Sequence, residues 1–336
     1  MRASFIIRRL LSMLLVWFGV TLLTFFIANV VPRDPVALRL GPKASQQAIA
    51  EWRRVYGLDQ PLHVQYVRFL SKIMEGDLGN SVWSGRPIRQ DLADYLPATL
   101  ELSLATLFLT IMCGIPLGIW AASKPGSLID RLVEMLANMG LALPLFWVGL
   151  VMQLWFYRQW NILPFDSRID IVLGAPQRIS GFYVLDSLLL QDWQRLFGSL
   201  RHLVLPALTL CLPSAGAVAR MTRASVLETI EQDYIRAARA KGVPEWLLMW
   251  RHVLRNALLP VVTVLGNIFN ALLAGVFVVE AIFNWNGLGW YASRVILASD
   301  YGAIVSITLV IAVLCTTVNL LVDILYQLLD PRIELA

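Results

Sequence analysis

The stretch Tyr301-Gly-Ala-Ile-Val-Ser-Ile-Thr-Leu-Val-Ile-Ala-Val-Leu-Cys-Thr-Thr-Val-Asn-Leu-Leu-Val322 runs twenty-two residues without an Asp, Glu, Lys or Arg. As an α-helix it extends about 33 Å, enough to cross a hydrocarbon core about 30 Å thick. Five other uncharged runs lie upstream: Leu10–Val31, Leu102–Ser123, Met135–Tyr157, Leu203–Ala219 and Asn256–Val279. Helices of a soluble protein keep a polar face, and these have none. With 57% hydrophobic and 15% charged residues, the 336-residue chain holds more apolar surface than one soluble core can bury. The expected fold is therefore all-α, a polytopic membrane protein with six transmembrane helices. The fourth run is short and contains Pro206, Pro213 and Gly216, which predicts a kinked helix or one starting a little before His202.

Arg2, Arg8 and Arg9 give the first run a basic start like that of a secretory signal. The run is too long for a signal h-region, no small-residue cleavage site follows, and Pro32-Arg33-Asp34-Pro35 marks an exit from the membrane; it reads as a retained anchor. Cys113, Cys211 and Cys315 stand singly in three different runs, so they suggest packing residues and neither a disulfide framework nor a cysteine metal site.

A net charge of +5 reads as topology in such a chain, not as nucleic-acid binding. Arg220, Arg223, Arg236, Arg239, Lys241, Arg251 and Arg255 lie between the fourth and fifth runs, against Arg294 alone between the fifth and sixth. Positive residues favour the cytoplasmic side, so the loop 220–255 is cytoplasmic. Alternation then places both termini (1–9 and 323–336) and 124–134 in the cytoplasm, and 32–101, 158–202 and 280–300 outside. In domain terms, 1–31 is the N-terminus with the first helix, 32–101 an external segment and 102–322 the core. Within the external segment, Ala44–Tyr56 reads as an amphipathic helix, Gly57-Leu58-Asp59-Gln60-Pro61 as a turn and Leu62–Met74 as a second helix, ended by Gly76-Asp77-Leu78-Gly79. Segment 158–202 reads as an irregular loop with a turn or helix over Gly181–Leu190.

Several chemistries are missing. Carriers driven by an ion gradient need ionisable or cation-coordinating groups near mid-membrane, and the six runs have no ionisable acid or base. Their polar groups are residues such as Asn29, Asn138, Gln153, Asn267, Asn270 and Asn319, which either hydrogen-bond between helices or line a polar pathway. Gln153, Asn267 and Asn270 are the candidates for lining. The sequence lacks a zinc-protease His-Glu-x-x-His and a Gly-x-x-x-x-Gly-Lys phosphate loop, so active transport by this chain implies an outside energy source.

The segment from Glu228 to Glu245 reads as helix, sharp break, helix. Ala-rich Tyr234–Lys241 favours helix, Gly242 suits the left-handed residue that ends it, and Pro244 with Glu245 suits the first turn of the next. Small side chains let another protein approach the backbone closely, and Arg236, Arg239 and Lys241 offer ion pairs at the rim. On these residues alone the segment reads either as a docking element for a cytoplasmic partner or as a merely basic cytoplasmic loop.

This segment resembles the EAA loop of bacterial binding-protein-dependent ABC importer permeases in the peptide/nickel branch, through Asp233-Tyr234-Ile235-Arg236-Ala237-Ala238-Arg239-Ala240-Lys241-Gly242 and His252-Val253-Leu254-Arg255-Asn256-Ala257-Leu258-Leu259-Pro260. The likeness continues through Arg8-Arg9-Leu10, Leu96-Pro97-Ala98-Thr99-Leu100-Glu101-Leu102, Ile115-Pro116-Leu117-Gly118 and Leu205-Pro206-Ala207. It ends with Asn319-Leu320-Leu321-Val322-Asp323 and Asp330-Pro331-Arg332-Ile333. Arg236 stands where the general pattern begins with an acidic residue, and Asn286 where the outer-loop pattern has Pro.

The resemblance implies a type I ABC importer permease fold in the bacterial inner membrane. It implies a second, homologous permease subunit, two cytoplasmic ATPase subunits that use ATP and Mg, and a periplasmic solute-binding protein; this chain itself would be neither an enzyme nor the holder of a cofactor or metal. Tyr234, Arg236, Ala237, Ala238, Arg239, Ala240, Gly242, Pro244 and Glu245 would form the ATPase-docking loop. Dipeptides or short oligopeptides are the expected cargo, with nickel, a nickel chelate or glutathione as alternatives.

Overall fold

The computed structural model describes residues 3–29 and 60–329, with Ser45 and Gln47 between them. All of the expected helix Ala44–Tyr56 but Ser45 and Gln47, the exit at Pro32-Arg33-Asp34-Pro35, most of the turn before Pro61 and the terminal Asp330-Pro331-Arg332-Ile333 lie outside the described residues. Among those described, five helices are long and apolar enough to cross a bilayer, and a sixth span forms if one bent pair counts as a single crossing. The chain divides into two compact units, Met1–Leu96 with Tyr291–Thr316, and Pro97–Trp290 with Thr317–Ala336.

The first unit opens with α1 (Ala3–Asn29) and α2 (Leu62–Met74). Tyr66 of α2 packs edge-on against Phe25 at 5.3 Å, and its hydroxyl hydrogen-bonds the Thr21 hydroxyl at 2.9 Å. The α2 bounds match the sequence expectation, with Gly76 at φ 76 just past its end. Helix α3 (Ile88–Ser123) begins fourteen residues before the expected Leu102, so that 88–101 is helical. Pro97 lies inside it, where a missing N–H and a ring clash ordinarily favour a break. Polar anchors hold its start: Asp91, fully buried, accepts from Arg86 at 2.5 Å, from Ser84 at 2.5 Å and from the Tyr291 hydroxyl at 3.0 Å.

The second unit contains α4 (Leu128–Ala142) and α5 (Leu145–Met152), the latter running on as a π-helical turn, Gln153–Gln159. The run Met135–Tyr157 was expected to be one span; instead the chain bends by 106° between Leu128–Gly140 and Leu145–Gln159. Pro144 disfavours helical geometry at the residue before it, and Leu143 is extended at φ −83, ψ 131. After α6 (Tyr183–Leu189) comes α7 (Trp193–Ile230), 38 residues unbroken through Pro206 and Pro213. It starts before His202, as one of the two expectations for this run had it, nine residues earlier, and it runs on past Ala219 to Ile230. Its start is capped by Asp192, whose side chain accepts from the Arg195 N–H at 3.1 Å.

Next are α8 (Asp233–Ala240) and a single turn α9 (Glu245–Leu247), which widens into π-helical Leu248–Val253 and continues as α10 (Leu254–Gly275). The fifth run was expected to reach Val279, but α10 stops at Gly275 and α11 (Phe277–Ile282) starts anew. The chain closes with α12 (Leu288–Leu297) and α13 (Tyr301–Leu329). One core of this unit joins Ala98 and Leu102 of α3, Leu205 and Leu210 of α7, Leu272 of α10, Val279 of α11, and Trp285.

Candidate functional site: the Gly242 turn and its supports

Helix α8 begins three residues after α7 ends. Its bounds differ by one residue from the expected Tyr234–Lys241, with Lys241 as the C-cap. Gly242 has φ +78, and a Cβ there would meet nothing within 4 Å, so glycine is required by backbone conformation and not by space. Pro244 is the N-cap of α9, not its first helical residue, and Glu245 occupies that first position.

The residues expected from sequence to form the docking loop lie on α8, the Gly242 turn and α9, and most are exposed. Tyr234, Arg236, Ala237, Arg239, Ala240, Gly242, Pro244 and Glu245 are exposed, and Ala238 is half-buried. Underneath, Ile235 is fully buried among Ala122, Val226, Leu248, Val253, Leu254 and Ala257, residues drawn from α3, α7, the π-helical turn and α10. The periodicity of α8 therefore aims one large apolar side chain inward and turns the small and charged ones outward. Two contacts fix the angle of the element. The Tyr234 hydroxyl accepts from Asn256 Nδ2 of α10 at 2.7 Å. Arg239 spans the break to Glu245, Nε to Oε1 at 2.6 Å. That last pair is exposed on both sides and stabilises little, so either partner is available to a docked protein. Ile235, Asn256 and the Arg239–Glu245 pair were not foreseen; Ile235 alone had a readable signal, as the lone large apolar residue of a polar helix.

The residues singled out for pathway lining separate. Asn270 of α10 donates through Nδ2 to Asn319 Oδ1 of α13 at 2.7 Å, the interhelical bond that was one of the two readings open for it. Asn267 is exposed and, three residues earlier, lies on the same face. Gln153 is elsewhere, with Nε2 donating to the carbonyls of Phe165 at 2.9 Å and Ile282 at 3.1 Å.

At a second set of anchors, the Phe283–Gly289 turn is locked to α3. Glu280, fully buried, accepts from the Thr99 hydroxyl at 2.5 Å and from the Trp290 N–H at 2.9 Å. The Trp285 indole donates to the Ala98 carbonyl at 2.9 Å. Gly287 has no room for a side chain, since a Cβ would collide with Glu280 Oε1 and Thr99. Asn286 is exposed, so this turn takes its rigidity from Glu280 and Trp285 rather than from a proline at 286. Burial pushes the Glu280 carboxyl up to about 7, against the hydrogen bonds from Thr99, Trp290 and Gly289 and the attraction of Arg168. Arg168 itself is buried, paired with Glu101 at 2.6 Å and lying 3.6 Å from the centre of the Tyr183 ring.

Comparison with known proteins agrees with this geometry. Residues 2–103 match the N-terminal family of binding-protein-dependent transport system membrane components. A probable D,D-dipeptide transport system permease, DdpB of Escherichia coli K12, is 42% identical over 98% of this chain and 97% of its own. The di/tripeptide permease DppB of Pseudomonas aeruginosa is 38% identical over 98% of each chain, and the oligopeptide permease AppB of Bacillus subtilis is 37% identical over 99% of each. A solved chain of the inward-facing MetNI methionine ABC transporter has a TM-score of 0.51 at 17% identity, covering 69% of this chain and 93% of that one, which shows a shared type I importer permease fold. Residues 114–335 match the binding-protein-dependent transport system inner membrane component, and the chain belongs to that family, the permease component of ABC importers.

Proposed function

We infer that this permease forms half of a translocation pathway for dipeptides or short oligopeptides, with a second, related permease subunit as the other half. A periplasmic binding protein delivers the solute, and two cytoplasmic ATPase subunits bind and hydrolyse ATP with Mg. Orientation follows the Lys and Arg excess over 220–255, which puts α8 and both termini in the cytoplasm. The observation that carries the reading is the build of α8: an exposed surface of small and basic residues, rigidly seated through Ile235. A surface seated in this way transmits the displacement of whatever docks on it. ATP-driven closure of the ATPase pair therefore moves α8, and with it α7 and α10, by differential binding in two states. No chemical step falls to this chain.

Peptide cargo is supported by the names of the relatives and by a polar complement of Asn, Gln, Ser and Thr, which suits uncharged amide groups. Uptake of a labelled dipeptide by cells carrying the whole system, with and without Gly242→Asp, tests both parts. The variant should insert normally, fail to retain the ATPase subunits on purification and lose uptake. Normal uptake by it would refute the docking role, and absence of dipeptide uptake by the unaltered system would refute the cargo.

A further inference from the structure

The seam between α4 and α7 joins the docking turn to the bend at Leu143-Pro144. Small residues occupy its closest approaches: a Cβ on Gly216 would come within 2.6 Å of the Ala137 Cα, and one on Gly140 within 2.9 Å of the Pro213 Cα. Nearer α8, charge closes the seam. Arg223 of α7 grips Asp130 of α4 with two prongs, Nε to Oδ1 and Nη2 to Oδ2, the latter at 2.7 Å. Asp130 Oδ2 also accepts from the Gly126 N–H at 2.9 Å, and Glu134 adds attraction for Arg223. Further along, Arg220 donates to Asn138 Oδ1 at 2.9 Å. A two-pronged contact resists rotation as well as separation; Asp130 is 4% exposed and the Arg223 side chain 33%, so solvent screens the pair from the Arg223 side only.

What lies at each end gives the seam its role. Arg223 lies seven residues, about 10 Å of helix, before the end of α7, and α8 begins three residues after that end. At the other end α4 stops at extended Leu143 and Pro144. Beyond them α5 has a lighter hold on α7, with Gly149 against Thr209, and adds partners that α4 lacks: Gly149 also lies against the Phe283 ring, and Gln153 donates to the Ile282 carbonyl. Mechanically α4 belongs with α7, α5 is shared between α7 and the turn near Glu280, and the extended pair between α4 and α5 is a joint.

We propose that Asp130 and Arg223 are positioning residues for energy coupling: they bind α4 to α7 as one body, so that a displacement of α8 reaches the Leu143–Pro144 joint instead of dissipating as slip along the seam. This rests on α8 being the ATPase-docking element. The test uses the complete transporter in proteoliposomes, with solute uptake and ATP hydrolysis measured on the same sample. In D130N, uptake per ATP should fall about fivefold or more, the low end of coupling between distant sites, while basal hydrolysis persists. Exchanging the charges, Asp130→Arg with Arg223→Asp, should return it to within about twofold. A seam that is only structural would lower yield and melting temperature and leave uptake per ATP unchanged. That result, or an assembled exchange variant without recovery, overturns the proposal.

A second arm does not depend on either variant assembling. Asn138→Cys with Arg220→Cys, in a chain whose three native cysteines are alanine, allows a bis-methanethiosulfonate cross-linker to span the distance the Arg220 side chain now bridges. If α4 and α7 move as one body, the cross-linked transporter keeps its uptake per ATP; loss on cross-linking with recovery on reduction overturns the proposal. Gly242→Asp separates the two failures: if it leaves uptake and ATPase retention intact, the docking role of α8 fails, whatever the seam does.

Discussion

Glu280→Gln isolates a single buried carboxyl, and its effect can be worked out before measurement. The group is fully buried, faces Arg168 as its nearby cation, and has its ionisation pushed from 4.5 up to about 7. Below pH 4.5 it is protonated in both the folded and unfolded chain and contributes nothing to pH dependence. Between 4.5 and 7 the unfolded chain has released the proton while the folded chain still holds it, so folding stability falls as pH rises through this window. Above 7 the loss levels off at about 3 kcal/mol. Gln has the same size, can accept from the Trp290 N–H and can donate to the Thr99 hydroxyl, and it does not titrate. The melting temperature of the variant minus that of the unaltered protein, followed in detergent from pH 4.5 to 8, should therefore climb by roughly 5 °C and then flatten. A difference that is flat with pH, or that falls, would show that the carboxyl is already ionised in the folded protein and would refute the burial argument.

Ile235→Ala removes the one large side chain that seats α8, at a cost of about 2–5 kcal/mol. The exposed surface stays intact, so ATPase subunits should still copurify while uptake per ATP drops; unchanged coupling would show that Ile235 is only filler. Gly242→Val places a β-branched residue at φ +78 and should strain the turn by about 1–2 kcal/mol, seen as lost ATPase retention in pull-downs from membranes. Gly287→Ala should lower stability by about 1–3 kcal/mol, because its methyl lands on Glu280 and Thr99, and the melting temperature reports it directly. Arg168→Met leaves Glu101 buried without its cation and should cost about 3–5 kcal/mol, whereas adding Glu101→Gln should recover much of the loss in a double-mutant cycle.

The membrane class, and the helices around Tyr301–Val322 and Leu62–Met74, were legible because hydropathy and amphipathic period act locally. The lengths of α3 and α7 were not. Their extra turns carry charged residues such as Asp91, Glu101, Arg195 and Arg223, and a rule that stops at the first charge cannot see that each is partnered in the fold. Pro206 and Pro213 stay inside one continuous helix, since neighbouring helices in a bundle tolerate a proline that an isolated helix would not. Pro144 did break the chain, although it lay within an uninterrupted apolar run. The Gly242 turn was readable to within a residue because its signals sit side by side in sequence. Ion pairs between residues 67 and 93 positions apart, Glu101–Arg168 and Asp130–Arg223, left no such local trace.

Between helices in lipid, the hydrophobic effect gives little preference for protein over acyl chain, so close backbone approach has to hold the bundle together. Helix α7 meets this requirement on two sides. Gly114 and Gly118 of α3 fit against Val218 and Ala219, where a Cβ on either glycine would come within 2.8 Å of its neighbours. Gly140 of α4 fits against Leu212 and Pro213, and Gly216 of α7 against Ala137. A helix packed on both sides at such short range resists sliding, because packed interfaces move between discrete arrangements, and the Asp130–Arg223 pair adds to that resistance on the α4 side. The same contacts that make α7 stable in the membrane therefore make it a strut. It starts beside the segment that carries Arg168 and Tyr183 and ends three residues before α8, so under the proposed docking role a push at α8 would travel along it. The glycines that look like weak points in a helix are what lets α7 fit closely against α3 and α4.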